Sequence, residues 1–212
     1  MINQETIQGE RVVLQPATPE DERQILEWLL RSDVTPLLLG PPLFPERPVP
    51  LPDNSGETFD PHYFDGTAPE LGRFVLILFD GEPVGQVSYN DIHERDGRKQ
   101  VELDIWMRSE ECCGKGYGTD ALDALCRYLH ERFGVEQFMV QSTASNPRAI
   151  RAYEKVGFRP GLTHHFSQRF QGSEPVQSTS TRFSTPPGGG QGLRTTFSWV
   201  FWGFHGKYNR II

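Results

Sequence analysis

The sequence contains little cysteine, no long apolar run and no excess of positive charge. Its three cysteines, two of them adjacent, give an odd count and no metal-ligand spacing, which indicates a reducing compartment rather than a disulfide framework. The six histidines likewise form no metal-binding pattern. No apolar run reaches the roughly 18 residues of a membrane-spanning helix, and the first residues are too polar for a secretory signal. We therefore expect a cytoplasmic protein with neither a membrane segment nor a bound metal.

The charge balance narrows the range of partners. The formal net charge is −7, from 21 basic and 28 acidic residues. An acidic chain of this kind is a poor general binder of nucleic acid and suits a cationic small molecule or peptide. A length of 212 residues with 36% apolar content fits one globular domain with some additional chain.

Hydrophobic periodicity predicts a mixed α/β fold. Its first half holds a strand, a helix and three antiparallel strands, in the segments RVVLQPAT, PEDERQILEWLLRS, RFVLILF, EPVGQVSYNDI and VELDIWM. Asp80-Gly81 is a hairpin signal between the first two of the three strands, and HERDGRKQ reads as a charged turn before the last. The second half predicts helix, strand and helix, in TDALDALCRYLHERFG, QFMVQSTAS and NPRAIRAYEKVGF. The crossover makes part of a mostly antiparallel sheet parallel.

Three segments depart from this pattern. Residues 35–70 hold nine of the seventeen prolines and predict a loop-rich insertion with at most a short helical turn. Residues 1–170 form the expected domain, and the Ser/Thr/Gly/Pro-rich residues 171–194 form an expected flexible linker. Residues 195–212 carry six aromatic side chains. This aromatic segment is either a last strand or an exposed contact for a partner.

The stretch CCGKGYGTDAL, residues 112–122, places three glycines and a lysine at the start of a helix. Backbone N–H groups there lack intrahelical partners and favour an anion. Gly114, Gly116 and Gly118 would let a pyrophosphate approach the backbone, with Lys115 and the Thr119 hydroxyl as further donors. The alternative is a tight turn without a ligand. Neither the P-loop spacing nor the GxGxxG dinucleotide pattern is present.

A second motif follows in NPRAIRAYEKVGF, where Asn146, Ala149, Tyr153, Gly157 and Phe158 stand at characteristic positions. Together with the glycine turn, residues 114–118, this motif resembles the GNAT superfamily of acyl-CoA N-acyltransferases, over roughly residues 9–165. The family's phosphate-binding pattern begins with Arg or Gln, where this sequence has Cys113, and its two glycine positions match Gly116 and Gly118. The resemblance implies a mixed, mostly antiparallel central sheet with helices on both faces.

The resemblance also implies acetyl-CoA as a co-substrate, without a metal, in a cleft where VELDIWM diverges from the next strand. Tyr153 would lie near the sulfur and Asn146 near the pantetheine arm. The cofactor-binding residues expected on this basis are Trp106, Met107, Arg108, Cys113, Gly114, Lys115, Gly116, Tyr117, Gly118, Thr119, Asn146 and Tyr153.

Acyl transfer to an amine needs a neutral nucleophile, stabilisation of an oxyanion and a proton for the departing thiolate. Tyr153 is the candidate acid, and the backbone N–H near Met107 is the candidate oxyanion donor. Asp104 is the first candidate base and Glu102 the second, because both share a strand face with Trp106. Asp104 lies twelve residues before Gly116, which is similar to aminoglycoside 6′-N-acetyltransferases. Two solvated strand positions are the alternative.

The expected function is acetyl transfer to a primary amine of a cationic small molecule, aminoglycoside- or polyamine-like, within a ternary complex. Antibiotic resistance is a possible context. The stretch 104–122 also resembles the branch that acetylates the N-termini of ribosomal proteins, so a peptide N-terminus is an alternative acceptor. A longer acyl-CoA and a non-catalytic CoA-binding regulator are further alternatives. The expected state is a monomer or homodimer without nucleic-acid or membrane partners. The insertion would shape the acceptor side through acidic and aromatic residues, namely Asp53, Glu57, Asp60, Asp65, Glu70, Phe59, Tyr63 and Phe64.

Overall fold

The structure is a computed structural model, and it describes residues 5–35, 59–143, 146–160 and 196–202. The predicted linker at 171–194 and residues 36–58 of the proline-rich insertion lie outside the described residues. The helical turn expected within the insertion is present as a four-residue helix at His62–Asp65.

Eight strands and four α-helices make up the described part of the chain. In order they are β1 (Ile7–Gln8), β2 (Val13–Pro16), α1 (Glu22–Arg31), α2 (His62–Asp65), β3 (Gly72–Phe79), β4 (Glu82–Arg95), β5 (Arg98–Met107), α3 (Tyr117–Phe133), β6 (Gln137–Thr143), α4 (Pro147–Val156), β7 (Arg159–Pro160) and β8 (Thr196–Trp202). Short 3-10 helices at Pro19–Asp21 and Glu110–Cys112 precede α1 and α3. Among these residues, no helix has both the length and the apolar character needed to cross a membrane.

All eight strands belong to one sheet, in the order β1-β2-β3-β4-β5-β6-β8-β7. Every neighbouring pair is antiparallel except β5 and β6, which are parallel and are joined through α3. The mixed, mostly antiparallel sheet predicted from the sequence is confirmed.

Two tight turns set the central hairpins. Asp80 and Gly81 adopt φ of 52° and 82°, as the predicted two-residue hairpin between β3 and β4 requires. The predicted charged turn HERDGRKQ is wrong in extent, because β4 and β5 continue until only Asp96 and Gly97 separate them. These two residues have φ of 53° and 73° and form a second two-residue turn, which leaves the polar residues around them free to pair as strands.

Helices cover both faces of the sheet. On one face, α1 and α2 pack on β3 through a buried cluster that includes Ile25, Leu29, Tyr63, Phe64, Phe74 and Leu76. On the other face, α3 and α4 pack on the central strands through a cluster that includes Leu122, Leu125, Val101, Leu103, Phe138 and Tyr153. The side chains of strand β5 alternate between these two clusters. Val101 and Leu103 belong to the second cluster, while Trp106 packs against the first.

A single carboxylate fixes the start of the domain against the start of α3. Asp120 accepts hydrogen bonds from the backbone N–H groups of Glu10, Arg11 and Val12 at 2.9, 2.7 and 2.9 Å. Charge-assisted bonds of this kind are among the stronger polar contacts in a protein. They hold the glycine turn beside the first strands of the sheet.

Candidate active site

A cleft opens where two central strands diverge. The pairing of β5 with β6 runs from Gln100–Gln137 to Leu103–Val140 and ends there, although both strands continue. Beyond this point the two strands no longer pair with each other, and they contribute Trp106, Met107, Gln141 and Ser142 to the wall of a cavity of about 610 Å³. The divergence between these strands therefore creates the space in which a ligand could lie.

Most of the predicted cofactor-binding residues surround this cavity. Ten of them line it, namely Trp106, Met107, Cys113, Gly114, Gly116, Tyr117, Gly118, Thr119, Asn146 and Tyr153. Strand β5, the glycine turn and helix α4 thus supply three of its sides.

Two predicted cofactor-binding residues are not among those that line the cavity. The backbone N–H of Arg108 donates to Val84 at 2.9 Å, and its carbonyl oxygen accepts from the Ser32 hydroxyl at 2.8 Å. The carbonyl oxygen of Lys115 accepts a hydrogen bond from the Arg11 guanidinium. These backbone groups are engaged in holding the turn after β5 and the start of α3.

The glycine turn has the backbone geometry of an anion cradle. Gly114 and Gly116 have φ of 72° and 89°, a region that residues with a Cβ rarely adopt. Gly116 is the N-cap of α3, and no described side chain caps the helix there. The first N–H groups of α3 therefore keep their donor capacity at the cavity wall, where a phosphate would accept from them.

Gly118 serves a different purpose from the other two glycines. A Cβ at this position would lie 3.1 Å from Cδ1 of Ile105 and 3.5 Å from Sδ of Met107. The absence of a side chain lets the first turn of α3 approach β5 closely, and any larger group would also narrow the cavity.

Helix α4 adds positive charge that the sequence interpretation missed. Arg148, Arg151 and Lys155 all line the cavity. Their spacing of three and four residues places them on one helical face, and this pattern is the signal that could have identified them. Arg148 bonds to the carboxylate of Glu110, which lowers the pKa of that carboxyl. Arg148 thus places a cation beside the glycine turn. The family pattern has Arg or Gln at the position of Cys113, and a cation supplied from α4 likewise suits a phosphate-bearing ligand.

Asn146 and Tyr153 are fixed by helix α4 itself. The Asn146 side-chain oxygen accepts the Ala149 N–H at 3.1 Å and caps the helix. Tyr153 is 5% exposed and packs against Phe158 with ring centroids 6.1 Å apart. Burial, together with the negative charge of Asp104, raises the pKa of Tyr153 above its ordinary value. The raised pKa keeps the hydroxyl protonated well into the alkaline range, so a proton is present at this position for transfer.

The two predicted carboxylates lie together on β5, next to the point where the strands diverge. Glu102 accepts from the Gln141 amide at 2.7 Å, and Asp104 accepts from the Asn90 amide at 3.2 Å. Burial, reinforced by the charge of Asp104, raises the pKa of Glu102 to about 7 against the opposing effect of Gln141. Burial also raises the pKa of Asp104, and the Asn90 hydrogen bond opposes the rise. Neither residue is part of the cavity wall, although Trp106 on the same strand face is.

Cys113 does not have the character of a nucleophile. Burial raises the pKa of the Cys113 thiol, which keeps it neutral at physiological pH. Within residues 5–35, 59–143, 146–160 and 196–202, no group of three or more His, Cys, Asp or Glu side chains is arranged to hold a metal ion.

Sequence comparisons identify relatives of the chain. Residues 11–159 match the family model described as an acetyltransferase (GNAT) domain. Aminoglycoside N(6′)-acetyltransferase type 1 from Klebsiella pneumoniae is 30% identical over 161 residues, which cover 72% of this chain and 76% of that protein. The protein of the same name from Serratia marcescens matches equally well.

Comparison with solved structures also finds acetyltransferases. The aminoglycoside acetyltransferase AAC(6′)-Ib in complex with coenzyme A and kanamycin superposes with a TM-score of 0.53 at 25% identity, covering 71% of this chain and 85% of that one. A probable acetyltransferase with a TM-score of 0.59 and 15% identity covers 93% of this chain and 97% of its own, and it supports the fold alone. The chain belongs to the GNAT acetyltransferase family, and it is an acetyl-CoA-dependent N-acetyltransferase.

Proposed function

We propose that this enzyme acetylates a primary amine of a cationic small molecule, of the aminoglycoside or polyamine type, by direct transfer within a ternary complex. The observation that carries the proposal is the pair of carboxylates, Asp104 and Glu102, beside the opening between β5 and β6. Half-buried carboxylates attract and orient a cationic amine. The names of the relatives with 30% identity, which are aminoglycoside acetyltransferases, support the same acceptor class.

The residues around the cavity suit the co-substrate. Acetyl-CoA, when bound, supplies an activated acetyl group and a thiol leaving group. The N–H groups at the start of α3 and the cations of α4 would hold its phosphates. Asn146 and the end of β5 that has separated from β6 would hold its pantetheine arm.

The chemistry required of the protein is the movement of two protons. An amine is protonated at neutral pH and reacts only after it loses a proton, which Asp104 accepts directly or through water. Glu102, whose pKa is raised to about 7, adds a second negative charge near the ammonium group once it ionises. Tyr153, whose raised pKa keeps it protonated, donates a proton to the departing sulfur and is restored by the second proton that the nitrogen gives up. Main-chain N–H near Met107 is the proposed donor to the developing oxyanion.

The experiment is a comparison of acceptors. Release of free thiol from acetyl-CoA would be followed with kanamycin, spermidine and peptides with free N-termini, and the products would be identified by mass. We expect the highest kcat/KM with an aminoglycoside, and no reaction with the same compound already acetylated at its 6′ nitrogen. The Asp104→Asn variant should lose at least about a hundredfold in kcat while CoA binding is retained.

Two results would contradict the proposal. Turnover restricted to peptide N-termini would instead support the alternative of a protein N-terminal acetyltransferase. Parallel lines in double-reciprocal plots would indicate an acetylated enzyme rather than a ternary complex.

A further inference from the structure

A chain of two hydrogen bonds reaches Asp104 from helix α2. The Tyr63 hydroxyl donates to Oδ1 of Asn90 at 3.0 Å, and Nδ2 of Asn90 donates to Oδ2 of Asp104 at 3.2 Å. We propose that Asn90 and Tyr63 are positioning residues that hold Asp104 in the orientation of a proton acceptor. This inference rests on the proposed function, in which Asp104 is the base.

The strands bring Asn90 and Asp104 together. In the β4–β5 register, Ser88 is opposite Asp104 and Asn90 is opposite Glu102, so Asn90 is the diagonal neighbour of Asp104 on the same face. That face is the one covered by α1 and α2. The contact therefore depends on the register of the hairpin and not on a flexible loop.

A glycine makes room for the tyrosine. Gly72 on β3 is opposite Asn90 on β4, and a Cβ at Gly72 would lie 2.6 Å from Cε1 of Tyr63. The Tyr63 ring is 9% exposed and packs on Phe74 with ring centroids 5.3 Å apart. The ring thus passes over the glycine and brings its hydroxyl to the Asn90 amide in a fixed position.

The direction of the two hydrogen bonds follows from chemistry. An ionised Asp104 only accepts, so Asn90 must present its NH₂ group to it and its oxygen to Tyr63. Tyr63 must then donate. Burial, with the charges of Asp60, Asp104 and Asp91, raises the pKa of Tyr63 to about 12, so the hydroxyl keeps its proton over the working pH range.

We call the chain of two hydrogen bonds from Tyr63 through Asn90 to Asp104 the relay. Its effect depends on the surroundings of Asp104. The charge of Asp104 acts on Glu102 on the same strand, on Tyr63 on α2 and on Tyr153 on α4, and Asn90 on β4 donates a hydrogen bond to it. Glu102 disfavours a second negative charge, and the two tyrosines are neutral. The Asn90 NH₂ group is the contact that stabilises the ionised form directly, and it leaves Oδ1 of Asp104 for the proton of the amine.

The test is the pH dependence of kcat/KM for an amine acceptor at saturating acetyl-CoA. Tyr63→Phe keeps the ring packing and removes the anchoring hydroxyl, and Asn90→Ala removes the donor. We expect the acidic limb to move upward by about one pH unit in Asn90→Ala, so that kcat/KM on that limb falls about tenfold and recovers in alkaline buffer. Tyr63→Phe should move it in the same direction by a smaller amount.

Controls separate positioning from folding. Tyr128→Phe, on α3 and outside this network, should keep the wild-type profile. The CoA dissociation constant and the melting temperature would be measured for every variant, because a positioning role predicts little change in CoA binding. If Asn90→Ala does not fold, the conservative Tyr63→Phe variant carries the test.

The outcomes distinguish this inference from the proposed function. Wild-type rates in Asp104→Asn would overturn both the base assignment and the relay. A loss of activity in Asp104→Asn with unshifted profiles in Asn90→Ala and Tyr63→Phe would overturn the relay alone. Rates that fall equally at acidic and alkaline pH would also overturn it, since a merely structural role predicts that result.

Discussion

At the scale of single residues, replacing Tyr153 is the most direct test of the proposed proton donation to the departing sulfur. Phenylalanine fills the same volume, so Tyr153→Phe removes the hydroxyl and keeps the packing against Phe158. We expect kcat to fall about a hundredfold to a thousandfold, as for loss of a general acid, with little change in the CoA dissociation constant. Thiol-release kinetics and calorimetry would measure the two quantities. An unchanged kcat would show that another group supplies the proton.

Arg148 offers a second residue-scale prediction, because it lines the cavity and bonds to Glu110. Removing the cation in Arg148→Gln should weaken CoA binding by about threefold to tenfold, while Glu110→Gln should strengthen it by releasing Arg148 for phosphate. Arg132→Gln makes the same charge change on α3, outside the cavity, and should bind CoA as the wild type does. Equal effects in Arg132→Gln and Arg148→Gln would mean that only net charge matters.

The sequence predicts some residues of the candidate site and misses others for a physical reason. Gly116 and Gly118 could be identified from the sequence, because a cluster of glycines before a helix reflects a local requirement of the backbone. The raised pKa of Glu102 depends on burial and on Asp104, and its hydrogen bond comes from Gln141, 39 residues away. Such an environment exists only after the strands have paired, and no local pattern encodes it.

At the scale of secondary-structure elements, the close packing of α3 on β5 gives the third prediction. Gly118→Ala adds one methyl group at 3.1 Å from Ile105 and gains helix propensity, so its stability should stay close to that of the wild type. Gly118→Leu should lower the free energy of unfolding by about 1–3 kcal/mol and weaken CoA binding strongly, because the side chain must displace β5 or enter the cavity. Thermal melts and calorimetry would measure both. Full CoA binding in Gly118→Leu would contradict the assigned packing.

Element positions are more accessible from the sequence than element pairing. The hairpin at Asp80-Gly81 and the cap at Asn146 could be predicted, since turn and cap residues act locally. The divergence of β5 from β6 after Leu103 could not, because it depends on how two strands and a crossover helix settle against one another. The bonds from residues 10–12 to Asp120 also span more than a hundred positions.

At the scale of the whole molecule, Glu102 should make stability depend on pH. An unfolded Glu102 loses its proton near the ordinary value of 4.5, whereas the folded protein retains it until about pH 7. Between these values the folded state binds more protons, so raising the pH destabilises it, by up to about 3 kcal/mol for this group. Urea unfolding of wild type and Glu102→Gln at about pH 5 and about pH 8 would measure the effect.

The informative quantity is the difference between wild type and Glu102→Gln in how much stability each loses from about pH 5 to about pH 8. Glu102→Gln should lose less stability than the wild type over this interval, since glutamine does not titrate. The Glu110 carboxyl, whose pKa is lowered, contributes in the opposite sense and below this interval. An identical pH dependence in both proteins would contradict the environment assigned to Glu102.

If the glycine turn and the cavity beside it hold the co-substrate, calorimetric titration of the full chain with CoA should find a single site in the wild type. This site should be lost in Gly116→Val. Gly97→Val provides a matched control, because Gly97 also has a positive φ, 73°, but lies in the β4–β5 turn, away from the cavity. Equal CoA affinity in Gly116→Val and Gly97→Val, or no binding by the wild type, would show that the glycine turn does not hold CoA.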